Sequence, residues 1–181
     1  MSNPTIMAHV LVYLVLFSFT ECNVPTKQTD KDAAPSLASE DATFAAKAAS
    51  DGIMKVELGD VAQKSENDEV KKIGSMMVAD QTKTDSALKS LASGKNLVLP
   101  DSMSTEDQQK VNELLKKTGD EFDRAYIDMM VDGHIGDIDL FKKEGQQGKD
   151  ADMRSFASGT LPVLEKHLDA ARTAQKIVAG M

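Results

Sequence analysis

The chain has 181 residues, which is enough for one domain with a hydrophobic core once a targeting segment is removed. It carries 29 acidic against 21 basic residues, and the net charge of −8 argues against nucleic acid, whose binding proteins have a clustered basic surface. The single cysteine rules out an internal disulfide framework and a metal site built from several cysteines.

The N-terminal stretch resembles a targeting segment. Residues 6–19 (IMAHVLVYLVLFSF) have the size of a signal-peptide hydrophobic region and fall short of the roughly 20 residues that span a membrane. We therefore predict a signal peptide or N-terminal anchor over residues 1–22. No basic residue precedes the apolar run, however, because the first is Lys27.

Three alternatives for the processing of this segment remain open. Cys22 follows the apolar run as a lipid-anchored cysteine would, although Glu21 stands where a bacterial lipobox has a small residue. The others are ordinary cleavage near this point and an uncleaved anchor. All three predict a cell-envelope protein, either in the periplasm or attached to a membrane through its N-terminus, the outer membrane included.

Residues 23–40 (NVPTKQTDKDAAPSLASE) are polar, carry two prolines and show no periodicity. This composition is typical of a flexible linker. The folded domain is predicted to cover residues 41–181.

Helical periodicity runs through the folded domain. It predicts helices over 41–64, 66–94, 122–144 and 150–178, with a tight turn at 145–148 (GQQG) and Pro162 on the outer face of the last helix. A connection of about two dozen residues carries a short helix with Ser104 as its N-cap. Four long helices with one long middle connection predict an all-α, ferritin-like four-helix bundle.

The helix over 122–144 carries ionisable residues on its apolar face. Asp123, His134, Asp137 and Glu144 fall within the arc formed by its large hydrophobic residues. Burial of such groups costs several kcal/mol unless they are paired or liganded. The helix is therefore predicted to face a metal, an ion pair or ordered water, while its acidic outer face offers a weaker case for a partner-binding surface.

Inward positions on the other helices complete a polar ring at the middle of the bundle. Its predicted members are Lys55, Gln81, Asp85, His134, Asp137 and His167. His134, Asp137, His167 and Asp85 are candidate ligands for a divalent metal such as iron, manganese, zinc or copper. The alternative is a buried histidine that forms a hydrogen bond with an acid on its own or a neighbouring helix.

The spacing of these residues argues against a di-iron oxidase. That site expects Glu-x-x-His motifs, but Val131 and Leu164 stand three residues before His134 and His167. The ten methionines fit adaptable core filling better than a copper(I) site. No nucleophile with its base and no phosphate-binding glycine loop is evident, so no catalytic residue is assigned.

Four segments resemble the domain-of-unknown-function 4142 family. They are DATFAAKAASDGIMKVELGDVA, MMVADQTKTDSALKSLA, EFDRAYIDMMVDGHIGDIDLF and LPVLEKHLDAA, which together lie within residues 41–178. The resemblance implies export and a ferritin-like bundle, since members are exported bacterial proteins often labelled outer-membrane proteins, with no settled activity. It also implies that Lys55 and Gln81 stand where relatives commonly have Glu and His, which weakens the case for a metal.

These observations favour a non-enzymatic binding or stress-related module of the cell envelope with no resident cofactor. The competing hypothesis is a ferritin-like metal-binding protein or oxidoreductase centred on the polar ring. In either case the inward ammonium of Lys55 is predicted to pair with Asp137 or Asp85.

Overall fold

The computed structural model describes residues 37–180, and within that range the chain forms five helices and no β-strand. The helices are α1 (Ser39–Ala62), α2 (Asp68–Gly94), α3 (Thr105–Leu114), α4 (Gly119–Gln147) and α5 (Ala151–Val178). The predicted signal segment, Cys22 and most of the predicted linker lie outside the described residues. Among the described helices, none combines the length and the apolar character needed to cross a membrane.

The four long helices pack in a closed order around one core. α1 packs on α2, α2 on α5 and α5 on α4, while α1 and α4 complete the bundle with the loosest packing of the four pairs. The short links α1–α2 and α4–α5 join neighbouring helices, and the long crossover from α2 to α4 carries α3, which packs against α1 and α4. The predicted bundle with a long crossover is confirmed.

Side-chain caps define where several helices begin. The Ser104 hydroxyl accepts a hydrogen bond from the backbone N–H of Asp107 at 3.1 Å, so the predicted N-cap of α3 is present. Asn67 and Asp150 cap α2 and α5 in the same way. Such caps satisfy backbone donors that have no partner within the helix.

The prediction of a tight turn at 145–148 is wrong, because α4 continues to Gln147. Gly145 lies in helical backbone against α5, where a Cβ atom would stand 2.6 Å from the Ser158 hydroxyl oxygen. Its lack of a side chain therefore serves close packing of α4 against α5 rather than a turn. The chain reverses between α4 and α5 at residues 148–150.

Close backbone contact joins α1 to α2 at two glycines. A Cβ atom on Gly74 would stand 2.7 Å from the carbonyl oxygen of Gly59, and a Cβ on Gly59 would stand 2.9 Å from the carbonyl oxygen of Gly74. Only glycine at both positions permits this approach. The approach fixes how α2 lies on α1.

Large apolar side chains fill the core on both sides of the bundle middle. α4 contributes Phe122, Tyr126, Met130 and Phe141, and Phe44 of α1 packs edge-on against Phe141 with ring centroids 4.9 Å apart. Pro162 is exposed on the outer face of α5, as predicted, and the helix continues through it.

Candidate functional site

An ion pair between α1 and α4 lies at the middle of the bundle. Nζ of Lys55 lies 2.5 Å from Oδ2 of Asp137, and both side chains are buried, with 2% and 8% of their surface exposed. Of the two acids predicted as partners for Lys55, the structure therefore shows Asp137. A buried pair of this kind is a weak source of stability, since desolvation of both charges offsets their attraction.

His134 lies next to this pair on α4 and is completely buried. Its Nδ1 lies 2.6 Å from the backbone carbonyl oxygen of Met130. Because a carbonyl oxygen only accepts, Nδ1 must carry the proton and Nε2 must hold a lone pair. Burial, together with the nearby Lys55, lowers the pKa of His134 to about 4, so the ring is neutral at neutral pH.

His167 on α5 is oriented by a carboxylate from α2. Its Nε2 donates to Oδ2 of Asp80 over 3.1 Å, and this hydrogen bond holds the pKa of Asp80 below its usual value. Burial lowers the pKa of His167, and Asp80 opposes that effect. In the neutral ring, Nδ1 of His167 is therefore a lone-pair nitrogen.

The two imidazoles meet inside the bundle. Their ring centroids are 5.4 Å apart, and the rings stand nearly perpendicular at 82°. His134 Nε2 and His167 Nδ1 are both buried and have no hydrogen-bond partner among the described residues. Each outer nitrogen is held by an oxygen acceptor, which is the arrangement that orients histidine as a metal ligand.

Gln81 and Asp85 of α2 occupy a separate side of the polar ring. Nε2 of Gln81 donates to Oδ1 of Asp85 over 3.0 Å. Both side chains lie over Gly52 of α1, where a Cβ atom would come within 2.8 Å of Gln81 Nε2 and closer still to Asp85. Burial raises the pKa of Asp85, and the hydrogen bond from Gln81 opposes this effect. Gly52 therefore makes room for these two polar groups.

The six predicted ring residues are thus divided among three groups. Lys55 and Asp137 form the ion pair, Gln81 pairs with Asp85, and His134 faces His167. Among residues 37–180, no three His, Cys, Asp or Glu side chains come together as a possible metal site. The arrangement therefore offers two neutral imidazole nitrogens as ligands, while Asp137 already balances an ammonium.

Sequence reasoning missed Asp80, which lies beside Gln81 and orients His167. The available signal was the expectation that a buried histidine forms a hydrogen bond with an acid on a neighbouring helix. Helical periodicity places Gln81 and Asp85 of α2 in the ring but not Asp80, although a helix turns by only about 100° per residue and the neighbour of an inward residue can also reach inward.

Two buried acidic residues, Asp41 and Glu144, lie at the end of the bundle, away from the polar ring. Asp41 of α1 accepts hydrogen bonds from the backbone N–H groups of Lys149 and Asp150 at 2.9 and 2.7 Å, which ties the start of α1 to the α4–α5 link. Glu144 is buried at the same end of the bundle, and its Oε1 has no hydrogen-bond partner among the described residues. Burial, together with Asp41, raises the pKa of Glu144 to about 7.

These features define a class of protein, an all-α bundle with a long crossover and a buried polar centre of one ion pair and two facing imidazoles. The chain belongs to the family described as "Domain of unknown function (DUF4142)", whose model matches residues 26–174. The predicted family membership is confirmed. No curated protein matches the chain.

Two solved structures share the fold. A DUF305 fragment from Deinococcus radiodurans superposes with a TM-score of 0.67 at 11% identity, covering 81% of this chain and 100% of that fragment. CopM in its Cu(II)-bound form gives a TM-score of 0.63 at 15% identity, covering 75% of this chain and 95% of that one. At these identities the likeness concerns the fold alone.

Proposed function

We propose that this protein is an exported, non-enzymatic binding module of the cell envelope. The observation that carries the proposal is the Lys55–Asp137 pair, because an ammonium occupies the middle of the bundle and its partner carboxylate is committed to it. Carboxylate metal centres in bundles of this type need those carboxylates free to bind the metal. The apolar run at residues 6–19 supports export.

Cell fractionation with an antibody against the folded domain tests the proposal. We expect a chain shorter than 181 residues, or a lipid-modified one, in the envelope fraction. Full-length, unprocessed chain in the cytosol would contradict export. Replacement of the single cysteine, Cys22→Ser, should release the protein from membranes if that residue carries a lipid, and should change nothing if the signal segment is simply cleaved.

A second candidate function is the binding of one metal ion by His134 and His167. The observation that favours it is the pair of buried, unpartnered nitrogens on facing rings. Imidazole nitrogen is a good ligand for zinc and copper, and both outer nitrogens already have the oxygen partners that orient a metal-binding histidine. CopM, a structural neighbour, is described in a Cu(II)-bound form, which gives copper particular interest.

Metal analysis of protein purified without a His-tag separates the two candidates. Stoichiometric zinc, copper, iron or manganese that is lost in His134→Asn would establish the second function and overturn the first. The Asn side chain retains a donor for the Met130 carbonyl, so the variant removes the lone-pair nitrogen with little change in the surrounding hydrogen bonds.

A further inference from the structure

A long groove runs between α1 and α4, beside the polar ring. It has a volume of about 780 Å³ and is lined along α4 from Ala125 to Leu140, with α3 contributing Asp107 and Lys110. At 1.5 Å per residue this stretch of α4 is about 22 Å long, which is about four helical turns. The groove exists because α1 and α4 are the most loosely packed neighbouring pair of the bundle.

An apolar stripe of α4 lines the groove, and its two large side chains also touch the edge of the core. Met129, Gly133, Gly136 and Leu140 recur at intervals of three and four residues, which places them on one face of the helix. Gly136 is exposed and the other three are half-buried. Cβ atoms built on Gly133 and Gly136 would meet nothing within 4 Å. The sequence pattern of a buried face is thus present on a face that the described chain covers only in part, with open space at the two glycines.

The charged groups around this stripe are predominantly acidic. Five aspartates and three lysines line the groove. The lysines are already paired within it, Lys47 with Asp51, Lys55 with Asp137 and Lys110 with Asp107. Asp128 and Asp132 on the α4 rim form no ion pair among residues 37–180 and so leave a negative edge along an apolar floor.

We propose that this groove binds an amphipathic helix of a partner protein that carries basic residues beside its apolar face. The inference rests on the proposed function and names the partner of that binding module. The length of the groove accepts a helix of about four turns, and glycine at two adjacent turns allows its backbone to approach α4 closely. The acidic rim selects a cationic helix, while the net charge of −8 opposes a second copy of this chain.

A peptide-binding titration tests the proposal. The probe is a synthetic helical peptide of about 15 residues with leucine and alanine on one face and lysine along its borders, titrated into the full chain at several salt concentrations. We expect one peptide per chain and an affinity that falls as salt increases, because the exposed rim charges are screened. A sequence-scrambled peptide of the same composition should bind at least tenfold more weakly.

Two matched pairs of variants locate the binding surface. Gly136→Leu fills the groove and should weaken binding at least tenfold, whereas Gly159→Leu places the same side chain at an equally open glycine of α5 outside the groove. Asp132→Asn should weaken binding and reduce its salt dependence, whereas Asp139→Asn removes an exposed charge on the same helix away from the groove. The melting temperature of each variant checks its folding.

Several outcomes would overturn the proposal. The first is equal peptide binding by Gly136→Leu and the unchanged chain, and the second is equal binding of the scrambled peptide. The third is a dimer in solution that Gly136→Leu dissociates. The fourth is a tenfold gain in peptide affinity on deletion of residues 1–36. The third outcome would assign the groove to a second copy, and the fourth to the chain's own N-terminal segment. None of these measurements depends on cellular location or metal content, so failure here is distinct from failure of the proposed function.

Discussion

Lys55 of α1 and Asp137 of α4 form a buried ion pair in which Nζ and Oδ2 are 2.5 Å apart. The pair lies between two facing imidazoles and the groove that separates α1 from α4, so its charges bear on both candidate binding sites.

Removal of one member of the pair should destabilise the fold strongly. Lys55→Met leaves the Asp137 carboxylate buried without its partner, and we expect a loss of about 3–5 kcal/mol in the free energy of unfolding. The double variant Lys55→Met with Asp137→Leu should recover most of this loss, because no charge is then stranded. Urea denaturation measures each free energy.

The exposed pair Lys116–Glu113 on the crossover provides a control. Lys116→Met should change the free energy of unfolding by no more than about 1 kcal/mol, since solvent screens both charges. If Lys55→Met lost no more unfolding free energy than Lys116→Met, the Lys55–Asp137 pair would be hydrated in solution.

A change of charge at the ring should create metal affinity. Lys55→Glu with Gln81→His replaces the ammonium near His134 by a carboxylate and adds an imidazole beside Gly52. A divalent ion at a hundredfold excess over its Kd should then stabilise the variant by about 2.7 kcal/mol, and the melting temperature should rise with metal concentration. Gln81→His alone keeps the ammonium and is the control. Equal stabilisation of the unchanged chain by the metal ion would show that Lys55 does not prevent metal binding.

His134 should make the protein less stable in acid. Its pKa is about 4 in the folded state against 6.5 for an ordinary histidine, so the unfolded chain binds more protons between these values. The stability that depends on a neutral ring is complete above pH 6.5 and is lost as the pH falls towards 4, by roughly 3 kcal/mol. Unfolding free energies of His134→Asn measured from pH 7 to 4 should show a shallower decline, and an unchanged decline would contradict this assignment.

Glu144 should act in the opposite direction at the end of the bundle. Its pKa is raised to about 7 in the folded state, so the folded chain holds the extra proton between its usual range and neutrality. This stability is present at low pH and is lost as the pH rises through 7, where a charged Glu144 meets Asp41 and Asp150, with Arg154 as the opposing cation.

Glu144→Gln removes this titration and keeps a neutral side chain of the same shape beside Asp41. The variant should therefore be more stable than the unchanged chain at pH 8 and closer to it at pH 5. Thermal unfolding at both values provides the test, with Glu57→Gln as a control at an exposed position of α1. A difference independent of pH would show that Glu144 does not titrate in this range.

The glycine contact between α1 and α2 should tolerate no side chain. Gly74→Ala places a methyl group against the Gly59 carbonyl and the Ala62 side chain, and forced packing of this kind costs about 1–3 kcal/mol. Gly133→Ala, at an open glycine of α4, should instead stabilise the helix by up to about 1 kcal/mol. Thermal unfolding distinguishes them, and a stabilised Gly74→Ala would contradict the close approach.

Much of the fold follows from local periodicity in the sequence. The apolar spacing predicted four long helices and the inward direction of Lys55, His134 and His167, and the Ser104 cap marked the start of α3. The placement of Asp123, His134, Asp137 and Glu144 on the buried side of α4 is likewise observed. These features depend on the rotation of about 100° per residue within one helix, which the sequence specifies without knowledge of its neighbours.

The tertiary structure alone decided which inward groups meet. The choice of Asp137 over Asp85 for Lys55, and of Asp80 for His167, depends on the axial offset and rotation of one helix against another. Those offsets are set by contacts such as Gly59 with Gly74, which join residues from different helices and leave no local periodicity in the sequence. Gly133 and Gly136 likewise lie on a face whose apolar pattern predicts burial, yet they line an open groove. The pattern of one helix shows which face can be buried, but it does not show which element packs on that face.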